Sequence, residues 1–118
     1  MQLDSATPVL RSGDYPRARA FYTDMLGFRL AEEAGDPPGF GIFVRDRARV
    51  FIEAYQGPEA PYDRWRAYFH VTDLAALADD LTGRGAPLSR APSLTRYGMH
   101  EFEVTDPDGN VLCFGADA

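Results

Sequence analysis

Hydrophobic and polar positions along this chain run through the same sequence of periods twice. Residues 7–11 form a short extended run, and Ser12, Gly13 and Asp14 supply a turn after it. From Asp14 the spacing becomes helical, with Ala18, Phe21, Tyr22, Met25 and Leu26 on one stripe. Asp14 stands where an N-cap belongs, Pro16 falls in the first turn and Gly27 ends the pattern. Strand-like segments follow at residues 28–32, 39–44 and 49–55. Turn-forming residues at 36–39 and 45–47 separate them.

Residues 56–61 read as a linker, rich in glycine and proline, and the cycle then restarts. Residues 65–71 predict a strand, and Asp73 caps a second helix through Leu74, Leu77, Ala78 and Leu81 that stops at Gly83 or Gly85. Two or three further strands complete the repeat, notably residues 99–104 and 110–114, joined by the hairpin signal Asp106, Pro107, Asp108 and Gly109. The expected fold is α+β: one domain of two tandem β-α-β-β-β modules, at about residues 4–56 and 63–118, with cupped mixed sheets and helices on their outer faces.

Alternation assigns the faces of these strands. In residues 66–71, Ala67, Phe69 and Val71 share one side and Arg66, Tyr68 and His70 the other. Phe102 and Val104 would pack under a helix, which leaves Glu101 and Glu103 on the open side. One face of the sheet is apolar, and the opposite face is polar and curved.

Composition narrows the partners. A net charge of −6 with scattered arginines excludes a phosphate-backbone footprint, so nucleic acid is not expected. No apolar run approaches the roughly 20 residues of a membrane span. The single cysteine, Cys113, excludes an internal disulfide. The start at Met1, Gln2, Leu3 and Asp4 carries no basic-then-apolar leader, so a cytoplasmic location is expected. Ser-His-Asp spacing and a glycine-rich phosphate loop are absent, and Asp79 and Asp80 read as solvated surface.

The run from Ala6 to Leu10, with Asp14, Ala20, Phe21, Tyr22, Leu26, Gly27 and Phe28, resembles the first module of the glyoxalase, bleomycin-resistance and dioxygenase (vicinal oxygen chelate) superfamily. Tyr97, Gly98, Glu101, Phe102 and the run Asp106, Pro107, Asp108, Gly109, Asn110 resemble its last strands, particularly in bleomycin-resistance proteins. The resemblance implies paired modules, a homodimer and a ligand cavity in the cupped sheets. It also implies four metal-ligand positions, which fall here on Thr7, Glu53, Arg66 and Cys113. Only Glu53 is a usual ligand, so neither a metal nor any other cofactor is expected.

The metal-free branch that this chain resembles traps antibiotics, which needs flat aromatic walls and carboxylates for a cationic tail. The expected ligand-binding residues are Phe40, Glu53, Tyr55, Arg66, Tyr68, Tyr97, Glu101 and Glu103, with Trp65 as a further wall or an edge residue and Glu32 or Glu33 at the rim. Glu53 interrupts an apolar strand and should meet either Arg66 or a ligand. The function this implies is non-catalytic sequestration of a small aromatic, cationic molecule such as a bleomycin-type antibiotic. Two alternatives stay open: a metal-free lyase or isomerase with Glu53 as general base and Arg66 as electrophile, and a ligand-sensing module with a vestigial cup.

Overall fold

A computed structural model of the chain describes residues 1–58 and 62–118. Part of the expected linker, residues 59–61, lies outside the described residues. The elements are β1 (Val9–Ser12), α1 (Tyr15–Ala20), β2 (Arg29–Ala34), β3 (Phe40–Arg45), β4 (Ala48–Ala54), β5 (Trp65–His70), α2 (Leu74–Gly83), β6 (Leu88–Leu94), β7 (Met99–Thr105) and β8 (Val111–Asp117). They form two four-stranded mixed sheets, in the orders β1-β4-β3-β2 and β5-β8-β7-β6. In each sheet the first strand runs parallel to its neighbour and the other pairs are antiparallel. The α+β architecture expected from the pattern is present.

Both helices are capped as the sequence predicts: Asp14 accepts from the Arg17 amide at 3.2 Å and Asp73 from the Ala76 amide at 3.1 Å. The first helix departs from expectation after Ala20. A wide π-type turn spans Phe21–Met25, where the Leu26 amide reaches back to the Phe21 carbonyl at 3.2 Å. Thr23 draws on the same backbone, its hydroxyl donating to the Arg19 carbonyl at 2.9 Å. Gly27, at φ +71°, then turns the chain into β2.

β6 is the strand that the pattern left open. It carries Pro92 in its interior, which is tolerated because β6 is an edge of its sheet. On α2, Asp80 is not merely solvated, since it accepts from Arg84 and pairs with Arg45, each at 3.0 Å.

The inner faces of both sheets contribute to one continuous core. Phe43, Val50 and Ile52 of the first sheet and Phe102, Val104 and Leu112 of the second are buried with Tyr22, Leu26 and Leu81 from the helical segments. Phe69 and Phe114 stack at 5.0 Å, and Phe69 meets Phe28 edge-on at 6.3 Å, so aromatic contact runs across the two modules. No helix among the described residues is long and apolar enough to cross a membrane.

A polar tie accompanies this core. The β7–β8 turn folds around the buried Asp106 carboxylate, which accepts from the amides of Asp108 and Asn110 and from the Asn110 side chain, each at 2.9 Å. The Tyr22 hydroxyl, delivered by the wide turn after α1, is its fourth donor at 2.7 Å. Burial raises the proton affinity of Asp106, and these hydrogen bonds oppose it without bringing it down to the ordinary range. Tyr22→Phe keeps the ring and removes one donor from a buried acceptor. It should cost about 1–3 kcal/mol in urea unfolding with the slope unchanged.

Candidate functional site

The face of the second sheet turned away from the helices is where most of the expected polar and aromatic residues meet. Tyr68, Cys113 and Glu103 stand in register across β5, β8 and β7, and His70, Gly115 and Glu101 form the next row. Tyr68 leans across Gly115 so that its hydroxyl reaches Glu101 at 2.9 Å. A Cβ at position 115 would overlap that hydroxyl, which is why a glycine sits in mid-strand. Tyr97, from the β6–β7 turn, donates to the same carboxylate at 2.8 Å, and Arg90 of β6 does so at 3.0 Å.

Glu101 is fully buried, and burial alone would push its proton affinity up. Hydrogen bonds from Tyr97, Tyr68, Arg90 and the Cys113 thiol outweigh that effect and leave the carboxyl below its ordinary 4.5. The donors respond in the opposite sense. Burial and the Glu101 hydrogen bond raise the Tyr68 phenol, while burial and the negative charges of Glu101 and Glu103 push the Cys113 thiol up to about 12. At neutral pH the cup therefore holds an ionised carboxylate among protonated phenols and a protonated, inert thiol.

Glu103 anchors the other side of the cup. It accepts from the Trp65 indole at 3.0 Å and from Arg90 Nε at 3.1 Å. Trp65 and Tyr68 lie 5.0 Å apart, and Tyr68 and His70 5.1 Å apart, in tilted contacts. Trp65 and Tyr97 are 40% and 62% exposed although their polar tips are held, so apolar surface faces outward. Trp65 enters the cup because β5 bulges between Trp65 and Ala67. Strict alternation had put Arg66 beside Tyr68 instead.

Of the remaining expected residues, Phe40, Glu53 and Tyr55 lie on the side of the first sheet. Arg11, Glu53 and Phe40 stand in register across β1, β4 and β3. Glu53 accepts from Arg11 at 3.2 Å and its side chain is 41% exposed, so the carboxylate is neither buried nor held by Arg66. Arg11 is its cross-strand neighbour, whereas Arg66 belongs to the other sheet, where its guanidinium covers Tyr62 at 4.2 Å. Arg11 covers Tyr55 in the same way at 4.2 Å, and Phe40 meets Phe51 edge-on at 5.4 Å. Arg11, Glu53, Tyr55, Tyr62, Arg66 and Asp108 line a cavity of about 740 Å³. Glu33 is not a rim carboxylate, because it turns to the helix side and takes Tyr15 at 2.8 Å and Arg19 at 2.9 Å.

The eight expected residues thus divide into Tyr68, Tyr97, Glu101 and Glu103 on the second sheet and Phe40, Glu53 and Tyr55 on the first, with Arg66 beside the latter group. Sequence reasoning passed over Arg11 and Arg90. Both become visible only once strand register is known.

Residues 2–114 match the profile of the Glyoxalase/Bleomycin resistance protein/Dioxygenase superfamily. The chain belongs to that superfamily. It is 29% identical over 118 residues to the bleomycin resistance protein of Klebsiella pneumoniae, covering 92% of this chain and 89% of that one. It is 26% identical over 117 residues to a protein named probable lactoylglutathione lyase in Vibrio cholerae, covering 88% and 83%. Among solved structures, a bleomycin resistance determinant encoded on the transposon Tn5 superposes with a TM-score of 0.82 at 26% identity over 98% of both chains. The structure of a bleomycin-binding protein in complex with bleomycin gives 0.82 at 25% identity, covering 98% of this chain and 100% of that one.

The family's metal-ligand positions do not fit a divalent cation here. Glu53 is ion-paired to Arg11, Arg66 is itself a cation, and the Cys113 thiol is held protonated beside Glu101. Thr7 offers only a neutral hydroxyl. Among the described residues no three His, Cys, Asp or Glu side chains are placed to share an ion.

The depressed Glu101 carboxyl makes a signed pH prediction. Its contribution to stability is complete above the unfolded-state value near 4.5 and is lost as pH falls through the lower folded-state value. Glu101→Gln should therefore unfold at lower urea than the parent at pH 7, by about 1–3 kcal/mol, with the gap closing toward pH 3. A gap independent of pH would mean that the ionised form is not what the network stabilises.

Proposed function

We propose that this protein is a non-catalytic binder that sequesters a small aromatic, cationic molecule of the bleomycin type. The observation that carries this reading is the aromatic ridge of the second sheet. Trp65, Tyr68 and Tyr97 are fixed at their polar tips by Glu103 and Glu101 while two of the rings stay open to solvent. A wall organised before binding loses little side-chain entropy when a flat heterocycle stacks on it. The kinship with bleomycin resistance and bleomycin-binding proteins supports the same reading.

In this proposal the chain acts as a homodimer in the cytoplasm. Phe40, Glu53, Tyr55 and Arg66 of one copy face the ridge of the other, so that each ligand lies between a first-sheet wall and a second-sheet wall. The metal-free lyase alternative has relatives in its favour but requires Glu53 as a base beside Arg66, whereas Glu53 takes Arg11 and the Arg66 guanidinium covers Tyr62.

Trp65 is the sole tryptophan and stands in the proposed contact surface, so its fluorescence reports the cup directly. Titration with metal-free bleomycin should quench it saturably, and Tyr97→Ala should weaken the midpoint by about 3- to 10-fold, the worth of one stacked ring. An emission that stays flat through millimolar drug would refute the assignment.

A further inference from the structure

Arg90 is bound in a way that a purely structural arginine does not require. Its guanidinium lies between the two carboxylates of the cup, with Nε and Nη2 each 3.1 Å from Glu103, Nη2 also donating to Glu101 at 3.0 Å, and Nη1 to Ser93 at 3.3 Å. Yet its side chain is 37% exposed, and it comes from β6, the edge strand. The pairing of β6 with β7 is irregular on both sides of Arg90, between Leu88 and Arg90 and between Arg90 and Ser93. Backbone next to such irregularities is held by fewer ladder bonds than the rest of the sheet.

Both carboxylates keep hydrogen-bond donors if this guanidinium leaves. Glu101 retains Tyr68 and Tyr97, and Glu103 retains Trp65. Two carboxylates against one guanidinium also leave a negative charge in excess in the same small volume. The guanidinium is the partly exposed member of the cluster and Glu101 the buried one, so its departure returns a cation to water while Glu101 stays hydrogen-bonded to Tyr68 and Tyr97.

We propose that Arg90 is an internal stand-in for the ligand's cationic group, holding the seat between Glu101 and Glu103 until a cationic aromatic molecule takes it. The inference rests on the binding function proposed for this cup and adds how the cup selects charge. Arg90 is then a specificity-determining residue whose removal strengthens binding. A ligand cation in the wild-type cup must displace a like charge, and in Arg90→Gln it meets two uncovered carboxylates.

The test uses two planar dyes of opposite charge, cationic thioflavin T and anionic 8-anilino-1-naphthalenesulfonate, titrated at low salt against wild type, Arg90→Gln and Arg90→Lys. Removing the unit charge that a bound cation must otherwise displace from the two carboxylates should tighten thioflavin T by about tenfold or more in Arg90→Gln. The same variant should show no gain for the anionic dye, and Arg90→Lys should behave like wild type. An equal gain for both dyes would mean general loosening, and unchanged or weaker thioflavin T binding would mean that Arg90 supports the ligand; either overturns the proposal. Should Arg90→Gln fail to fold, the wild-type protein still decides. The Arg90 Nε–H, protected by Glu103, should lose its NMR protection on thioflavin T binding, and retention of that protection overturns the idea. The binding function itself is judged separately by metal-free bleomycin. Drug binding without the thioflavin T gain sinks the stand-in alone, whereas the gain without drug binding sustains the stand-in and removes the bleomycin reading.

Discussion

The Asp106 carboxylate accepts four hydrogen bonds in a place water scarcely reaches, and the relation between the two halves of the molecule turns on it. Three of its donors come from its own turn and the fourth, Tyr22, from the other module. The neighbouring Asp108 adds a second link, accepting from the Gly13 amide at 3.1 Å and from Arg17 at 3.0 Å. Asn110 closes the set by donating to the Arg11 carbonyl at 3.2 Å. Apolar contact would hold the modules together in many relative positions, since it has no direction. Directed bonds from one five-residue turn to β1 and α1 select one of them. The wide turn at Phe21–Met25 has its purpose here, because it brings the Tyr22 hydroxyl to Asp106.

With the modules so placed, each sheet is free to use its glycines. Gly41 in β3 lets the Tyr15 hydroxyl pass to Glu33 on the helix side, and Gly115 in β8 lets the Tyr68 hydroxyl pass to Glu101 on the open side. The same pairing of tyrosine, glycine and glutamate is thus applied to opposite faces. In the first module it secures a helix to its sheet, and in the second it stiffens the wall of a cup. Burying Glu101 would be prohibitive without its donors. With them, the charge becomes a fixed anchor for rings whose faces remain outside.

Much of this architecture could be read from the sequence because periodicity and turn chemistry are local. The two helix caps, the stop at Gly27, the hairpin after Asp106 and the inward faces of Phe69 and Phe102 all follow from neighbours a few residues away. What could not be read depends on register or on local irregularity. The Arg11–Glu53 pair exists because β1 lies parallel to β4 in one register, and no local signal states that register. Trp65 joins Tyr68 because one bulge shifts the alternation of β5, and Arg90 reaches β7 through an edge strand whose proline disguised it. Glu33 was misplaced for a similar reason, since the irregularity between Leu30 and Glu32 turns it toward the helix.

One scaffold can carry different site chemistries, and here the four positions that the resemblance assigns to metal ligands decide between them. In this chain those residues have taken other employment: Glu53 as the partner of Arg11, Cys113 as a thiol kept protonated by burial and the nearby Glu101 and Glu103 charges, and Arg66 as a cation over Tyr62. The most direct measurement of that claim is a calorimetric titration of the purified protein with Ni²⁺ and Zn²⁺ at neutral pH. No stoichiometric uptake is predicted for either ion, and unfolding should be unaffected by their presence. Tight binding of one ion per cup would contradict the account, since it would require Cys113 to ionise and Glu53 to leave Arg11.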